Sequence, residues 1–446
     1  MLFLLVAINL FIYIECQVLY QQPEQVHISI GNNASEMYVS WVTMNDTKNS
    51  FVQYGLYSLR DLNLKAVGSS SKFVDGGSQK RTMFIHRVKL TNLKADTVYT
   101  YNVGSNSGWS DIFFFKTWRT DPNWSPRFAI YGDMGNSNAQ SLARLQQETR
   151  KNFYDAILHV GDFAYDMDSD NARVGDQFMR QIESIAAYVP YMTCPGNHEQ
   201  AYNFSNYRFR FGMPRNGDGE SIYYSYDVGP VHIISFSTEV YFYLQYGTQQ
   251  IRNQFAWLEQ DLIKANKNRA ERPWIVTMAH RPMYCSNNDN DDCSKYESII
   301  RTGLPYLGYG LEDLFYQYGV DVMIWAHEHS YERLWPIYDR TVCNGSLAQP
   351  YIEPGAPIHI TTGSAGCRER HDGFIPIQPY MTAFRSDDYG YTRMQFFNSS
   401  HAYFEQVSDD KKGEIIDKTW IVKSKHGIYS YADNSGKCKG SLPENP

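Results

Sequence analysis

A chain of 446 residues, 43% hydrophobic and 20% charged, has enough apolar material for two or three packed domains and too much for an intrinsically disordered protein. Its formal charge of −7, with no basic stripe, excludes recognition of nucleic acid through the phosphate backbone.

The chain opens on MLFLLVAINLFIYI, an apolar run without charged side chains that ends at Glu15 and Cys16. It is shorter than the ~20 residues of a membrane-spanning helix. It reads as a signal peptide over residues 1–16, and no later run is long and apolar enough to cross a membrane. Six N-x-S/T sequons, at Asn33, Asn45, Asn123, Asn203, Asn344 and Asn398, fit a glycoprotein of the secretory pathway, either secreted or delivered to endolysosomes. Removal of the leader leaves Cys194, Cys285, Cys293, Cys343, Cys367 and Cys438. Cys285–Cys293, across a polar loop, is the best local disulfide, and Cys194, at a strand end, reads as a buried thiol. No pair has the C-x-x-C spacing of a zinc site.

Residues 22–120 are predicted all-β. VHISI, MYVSWV, FVQYG, TVYTYNV and DIFFFKT are short β-branched or aromatic runs separated by turn residues. Their spacing suggests a β-sandwich of fibronectin-III or immunoglobulin type. DPNWSP (121–126) then breaks the pattern and marks a domain boundary. From Arg127 apolar strands alternate with helices. Helices are predicted over Asn138–Lys151, Ala172–Tyr188, Gln250–Ala265 and Leu311–Tyr318, the last stopped by Gly319. A second domain therefore occupies 126–424, with a C-terminal segment at 385–424, and 425–446 is a polar tail.

Each apolar strand of the second domain delivers a short polar cluster. RFAIY precedes GDMG (Gly132–Gly135), DAILHV precedes GDFAY (Gly161–Tyr165), and VPYMTC precedes GNHE (Gly196–Glu199). WIVTM precedes AHRP (Ala279–Pro282), and VDVMIW precedes AHEH (Ala326–His329). Ligands in open α/β sheets bind beyond the carboxyl ends of strands, so these clusters are expected to converge. Taken singly they are weak: a lone GD is usually a turn or cap, and one Tyr among 35 is core or surface by default. Together they offer two Asp, one Tyr, one Asn and three His, enough to hold two metal ions. A phenolate such as Tyr165 suits a hard, highly charged ion such as ferric iron. Gly132, Gly161 and Gly196 each precede a candidate ligand and are expected to supply φ freedom at a sharp turn. His159, His232 and His359 lie within apolar strands and read as satisfied core histidines.

The ordered set GDxG, GDxxY, GNHE, xxxH and xHxH resembles the purple acid phosphatases, of the calcineurin-like metallophosphoesterase superfamily, in the two-domain plant-like form found in animals. The resemblance runs over about residues 22–424 and includes EQVSDDKKGEIID (Glu405–Asp417). It implies a fibronectin-III-like sandwich followed by a catalytic domain of two β-sheets flanked by helices. It further implies Fe(III) held by Asp133, Tyr165, His329 and one oxygen of Asp162. Zn(II), or alternatively Fe(II) or Mn(II), would be held by the other oxygen of Asp162 with Asn197, His280 and His327. Asn197 and His198 would face the substrate phosphate, with His198 reaching phosphate oxygens or the leaving group. His327 and His329 share a face on an extended strand, but in a tight loop they would straddle two metals.

The chain departs from the plant pattern at one place. Where plant members carry a histidine pair, about nine residues after His280, this sequence has Asp289 and Asn290, within NNDNDD (Asn287–Asp292). The candidates for a general acid are then Asp289, Asp292 or His198. Arg368, Glu369 and His371 in CRERHDGF are candidates for the substrate entrance. The resemblance implies an acid phosphatase that hydrolyses phosphate monoesters through a metal-bound hydroxide at an Fe(III)–M(II) centre. The alternatives are an enzyme acting mainly on diesters, pyrophosphates or phosphoproteins, and a metal-binding adhesion glycoprotein with vestigial activity.

Overall fold

The computed structural model describes residues 20–59 and 61–429. The expected signal peptide, Cys438 and the tail beyond residue 429 lie outside them.

Two sheets face each other at the N-terminal end. One orders Glu24–Ile30, Met37–Thr43, Thr82–Leu90 and Ser69–Val74; the other is built on Phe51–Leu56 and Val98–Ser105. Alternation drives the packing: in Thr82–Leu90 the side chains of Val88 and Leu90 enter the core between the sheets, while Met83 and Ile85, on the opposite face with Arg87 and Lys89, are buried in a separate cluster with Val42 and Phe73. Trp41, Val39, Tyr101 and Val103 fill the space between the sheets. This is the expected sandwich.

The chain then builds two larger sheets. In the six-stranded one, Arg127–Tyr131, Ala156–Val160 and Tyr191–Cys194 run parallel, and the C-terminal strands Gly390–Phe396, His401–Ser408 and Glu414–Val422 extend it antiparallel. In the seven-stranded one, Val231–Ser235, Trp274–Met278, Val322–Trp325 and Ile358–Thr362 are parallel neighbours. Ala156–Val160, Trp274–Met278, Val322–Trp325 and Ile358–Thr362 are buried along their whole length, as their near-continuous apolar runs require. The expected convergence at the strand ends is present, with three clusters leaving one sheet and two leaving the other.

Helices form at Leu142–Arg150, Ser169–Ala186, Gln249–Lys267 and Leu311–Gln317, on the predicted segments. Asp170, Asn171 and Ala172 have positive φ, so the regular part of the second helix starts after Ala172. The helix Ala201–Arg210 went unpredicted because AYNFSNYRFR has no clean apolar stripe. Cys285 and Cys293 form the expected disulfide, and Cys194 is a buried free thiol, as is Cys367. His159 and His359 are buried, with Nδ1 bonded to Tyr191 and Trp325 respectively. His232 differs from expectation: its ring is clamped between the carboxylates of Asp227 (2.7 Å) and Asp261 (2.9 Å) rather than packed in apolar core.

The sandwich is fixed to the catalytic unit by buried polar bonds. Arg210, fully buried, reaches Asp176 at 2.9 Å and the side chain of Gln25 at 3.0 Å, and Glu183 accepts the Val26 N–H at 2.7 Å. Removing one partner of such a pair strands a buried charge, at a cost of about 3–5 kcal/mol.

Candidate metal centre

The strand ends of the two sheets meet edge to edge. The Gly132 N–H donates to the Thr362 carbonyl at 2.9 Å and the His280 ring donates from Nδ1 to the Val160 carbonyl at 2.8 Å, both across the seam. Close approach explains the glycines better than φ does. A Cβ on Gly132 would fall 2.3 Å from the Ala326 Cβ, and one on Gly196 would fall 2.2 Å from Asp162 Oδ1. Only Gly161 of the three has positive φ, +86°, and a Cβ there would also strike His280 Nδ1 at 2.5 Å. The left-handed backbone lies instead on the candidate ligands: Asp133 (φ 58°), Asp162 (52°), Tyr165 (57°) and His327 (72°). Strain of this kind persists where surrounding structure over-determines it, and it clusters at functional sites.

The seven candidate side chains assemble into two abutting groups. In the first, the Tyr165 hydroxyl lies 2.6 Å from His329 Nε2 and 3.3 Å from Asp133 Oδ1, with His329 Nε2 3.6 Å from the same oxygen. In the second, His280 Nε2 lies 3.0 Å from Asn197 Oδ1, 3.2 Å from Asp162 Oδ2 and 3.2 Å from His327 Nδ1. Asp133 Oδ1, 4.0 Å from His280 Nε2, links the two groups. Asp162 presents Oδ2 to the cluster while its Oδ1 accepts the His198 N–H at 3.0 Å. Oδ2 is thus the oxygen turned toward His280, and Oδ1 keeps one lone pair beside its bond from the His198 N–H. His327 and His329 straddle the groups, because the loop turns at His327 and sends Glu328 into the core.

The hydrogen-bond bookkeeping around these atoms fits a cation. His280 Nδ1 donates to Val160, so Nε2 is a lone pair. His329 Nδ1 likewise donates to the Arg370 carbonyl at 3.0 Å. His327 Nε2 lies 2.5 Å from Asp291 Oδ2 and 2.8 Å from Arg281 Nη1, so its outer nitrogen is engaged and Nδ1 is the nitrogen turned toward His280. Two imidazole nitrogens, an amide oxygen and a carboxylate oxygen then point at one another, a convergence of donor atoms that a cation satisfies. Burial first, then Asp133 and Asp162, holds the Tyr165 phenol well above its ordinary pKa, so phenolate forms there only against positive charge. The donor set fits two ions: anionic Asp133 and Tyr165 on one side, neutral Asn197 and two imidazoles on the other.

His198 sits beside this cluster. Its Nδ1 bonds Asp166 at 2.8 Å, its ring lies against that of Tyr165, and Nε2 is 3.9 Å from Asp162 and 3.7 Å from Glu369. Burial opposes its charge, yet Asp162 and Asp166 together lift its pKa to about 9. Arg368 pairs with Asp166 at 2.9 Å, so Arg368 and Glu369 border the His198 side of the centre; His371 instead lies tilted against the ring of Tyr389. Of the acidic loop, Asp292 caps the turn at Ser298 and Ile299, and Asp289 is exposed. The residue of this loop that reaches the centre is Asp291, which sequence reasoning passed over.

Glu199 was also missed. It is buried, and its carboxylate accepts the N–H groups of Asp162 (2.9 Å), Phe163 (3.0 Å) and Gly196 (2.9 Å), stapling two ligand loops together. Its place in GNHE was the available signal. Asp372 accepts the His329 N–H at 2.7 Å. Among the sequons, Asn33, Asn45, Asn123, Asn203 and Asn398 are exposed, whereas Asn344 is buried.

Three family descriptions match in tandem: purple acid phosphatase, N-terminal domain, over residues 23–117; calcineurin-like phosphoesterase over 126–331; and iron/zinc purple acid phosphatase-like protein C over 356–418. The zebrafish (Danio rerio) acid phosphatase type 7 is 58% identical over 412 residues, covering 91% of this chain and 92% of its own. The human (Homo sapiens) acid phosphatase type 7 is 55% identical over 409 residues, covering 92% and 93%. The structure of purple acid phosphatase PPD1 from yellow lupin (Lupinus luteus) superposes with a TM-score of 0.78 at 24% identity, over 94% of this chain and 77% of that one, a likeness of fold. With a curated relative this similar over nine-tenths of its length, and with seven metal-type donors gathered where its strands end, the chain belongs to the purple acid phosphatases of the calcineurin-like phosphoesterase superfamily.

Proposed function

We propose that this chain is an acid phosphatase that hydrolyses phosphate monoesters at a binuclear centre, with Fe(III) held by Asp133, Tyr165, His329 and Asp162. A divalent ion, zinc in the first instance, is held by Asp162, Asn197, His280 and His327. The observation that carries this is the set of ligand-type nitrogen and oxygen atoms converging on His280 Nε2 beside a buried phenol and two carboxylates. Such an ion pair, when bound, supplies electrophilic charge for phosphate oxygens and water acidic enough to attack below neutral pH.

The chain's own groups supply the rest. Asn197 and His198, adjacent on one loop, border the place of the phosphate. Asp166 holds His198 Nδ1, so Nε2 is directed toward the cluster, where it can carry a proton to the leaving oxygen. Asp291 is occupied with His327 and Arg281, and Asp292 with a helix cap. Asp289 is exposed and gathers with Glu328 and Asp372 rather than with the His280 group, so the general acid is assigned to His198 rather than to the acidic loop. The leader and the five exposed sequons support a glycoprotein of the secretory pathway, secreted or endolysosomal, and no described helix is long and apolar enough to cross a membrane.

The test is metal analysis, visible absorbance and turnover of p-nitrophenyl phosphate at acid pH on the purified protein. One iron per chain, a phenolate-to-iron band and turnover are expected. Protein with both ions bound and no turnover would sink the enzymatic reading, and a colourless di-zinc enzyme would sink the role given to Tyr165. Substituting His198 should slow alkyl phosphates more than p-nitrophenyl phosphate, since a poor leaving group needs the proton more.

A further inference from the structure

Three arginines line a cavity of about 220 Å³ on the seam between the sandwich and the catalytic unit, far in sequence from every metal-centre loop except GNHE. Arg87 comes from the strand Thr82–Leu90, Arg208 from the helix Ala201–Arg210, and Arg215 from the loop that follows it. Their charges are compensated unequally. Arg208 is paired with Glu220, which lines the same cavity, and lies 3.8 Å from Asp218, so its charge is spoken for. Arg87 has no ion pair among the described residues. Its Nη2 donates to the carbonyls of Phe209 (3.2 Å) and Phe211 (3.1 Å), and its Nε is buried against Gly212 with no partner. Arg215 is exposed, and its guanidinium also lacks a carboxylate partner among the described residues. Burial, then the nearby charge of Arg215, pulls the Arg87 pKa down to about 10.

Glu220, the one acid of the lining, is engaged by Arg208, and a half-buried guanidinium facing another cation with no carboxylate paired to either is an unfavourable arrangement that an anion relieves. Ser69 and Ser71 bring exposed hydroxyls to the same cavity and can donate to that anion. The space is below the ~300 Å³ at which pockets for drug-sized ligands begin, so it suits one tetrahedral group and its waters. The guanidinium fork matches two oxygens of such a group.

We infer that Arg87 and Arg215, with Ser69 and Ser71, form a second anion site that takes a single phosphate or sulfate group, separate from the metal centre. The group has two possible sources, free phosphate and a sulfated glycan. Because the site shares no residue with the metal centre, its failure leaves the phosphatase reading intact.

The experiment is calorimetric titration of the metal-loaded full chain with sodium sulfate, against sodium chloride at equal ionic strength, for the parent and Arg215→Ala. Sulfate affinity should fall at least about tenfold in the variant, while inhibition of turnover by sulfate, which reports the metal centre, stays unchanged. Arg87→Met should lose the same binding event; should that variant fail to fold, Arg215→Ala alone decides. Equal sulfate affinity in parent and Arg215→Ala overturns the proposal, and so does a parent with no preference for sulfate over chloride. Titrating inorganic phosphate and a sulfated disaccharide in parallel identifies the source: the tighter Arg215-dependent ligand is the one the site is built for. Arg215-independence of both overturns the site.

Discussion

The two halves of the proposed centre reach the same end by different means. Around Tyr165 the donors themselves carry charge: Asp133 and the phenol sit against His329, which is steadied by the Arg370 carbonyl and by Asp372 on its N–H. Around His280 the donors other than the shared Asp162 are neutral, and charge stands behind them. Asp291 backs His327 at 2.5 Å, while Arg281 ties that carboxylate to Glu239. A trivalent ion needs anionic donors in contact; a divalent ion is served by imidazoles whose basicity is raised from behind. The difference also separates what each half depends on. The Tyr165 half rests on residues 367–374, whereas the His280 half rests on a strand of the opposite sheet and on the acidic loop.

Asp162 should abolish that distinction, because in the proposed assignment it serves both ions. Asp162→Asn is expected to lower turnover by about 10³-fold or more and to weaken both ions, since groups that act as a unit fail together; metal analysis after dialysis checks it. Tyr165→Phe should act on one half alone. The visible band disappears and turnover drops by about 10²-fold, while the divalent ion stays bound; loss of both ions would show that the halves are not independent. Asp291→Asn probes the other half. Competition with a chelator should show the divalent ion held about 10–100-fold more weakly, with the phenolate band unmoved. A band shift as large as that of a ligand substitution would contradict the division.

The smallest effect lies outside both halves and serves as their control. Burial disfavours charge on His232, but bonds to Asp227 and Asp261 raise its pKa from 6.5 to about 9. A pKa raised by folding stabilises fully below 6.5, and the gain is lost as pH rises through about 9. His232→Gln should therefore cost about 1–2 kcal/mol at mildly acid pH and nothing once the parent ring has lost its proton. Thermal melting across that range reads it, with the metal content of the variant unchanged.

The amino-acid sequence by itself determined the elements and their chemistry. Buried parallel strands need apolar runs, and those runs were visible before each cluster, so these strands, the donors at their ends and the helices with a clean apolar stripe were legible, whereas Ala201–Arg210, without one, was not. The Cys285–Cys293 bridge was legible because its two ends are close along the chain. Only the tertiary structure decided how the donors meet. Whether Asp162 faces inward through one oxygen or two depends on the His198 N–H, and the orienting of His327 depends on which acid of NNDNDD the loop turns toward. His232 shows the same limit: its strand reads as core, yet Asp261, from a helix 29 residues away, makes it one arm of an ion pair. Local pattern fixes what each segment must bury. The partners of a polar side chain are set by contacts between segments distant in sequence, and those exist only once the sheets have packed.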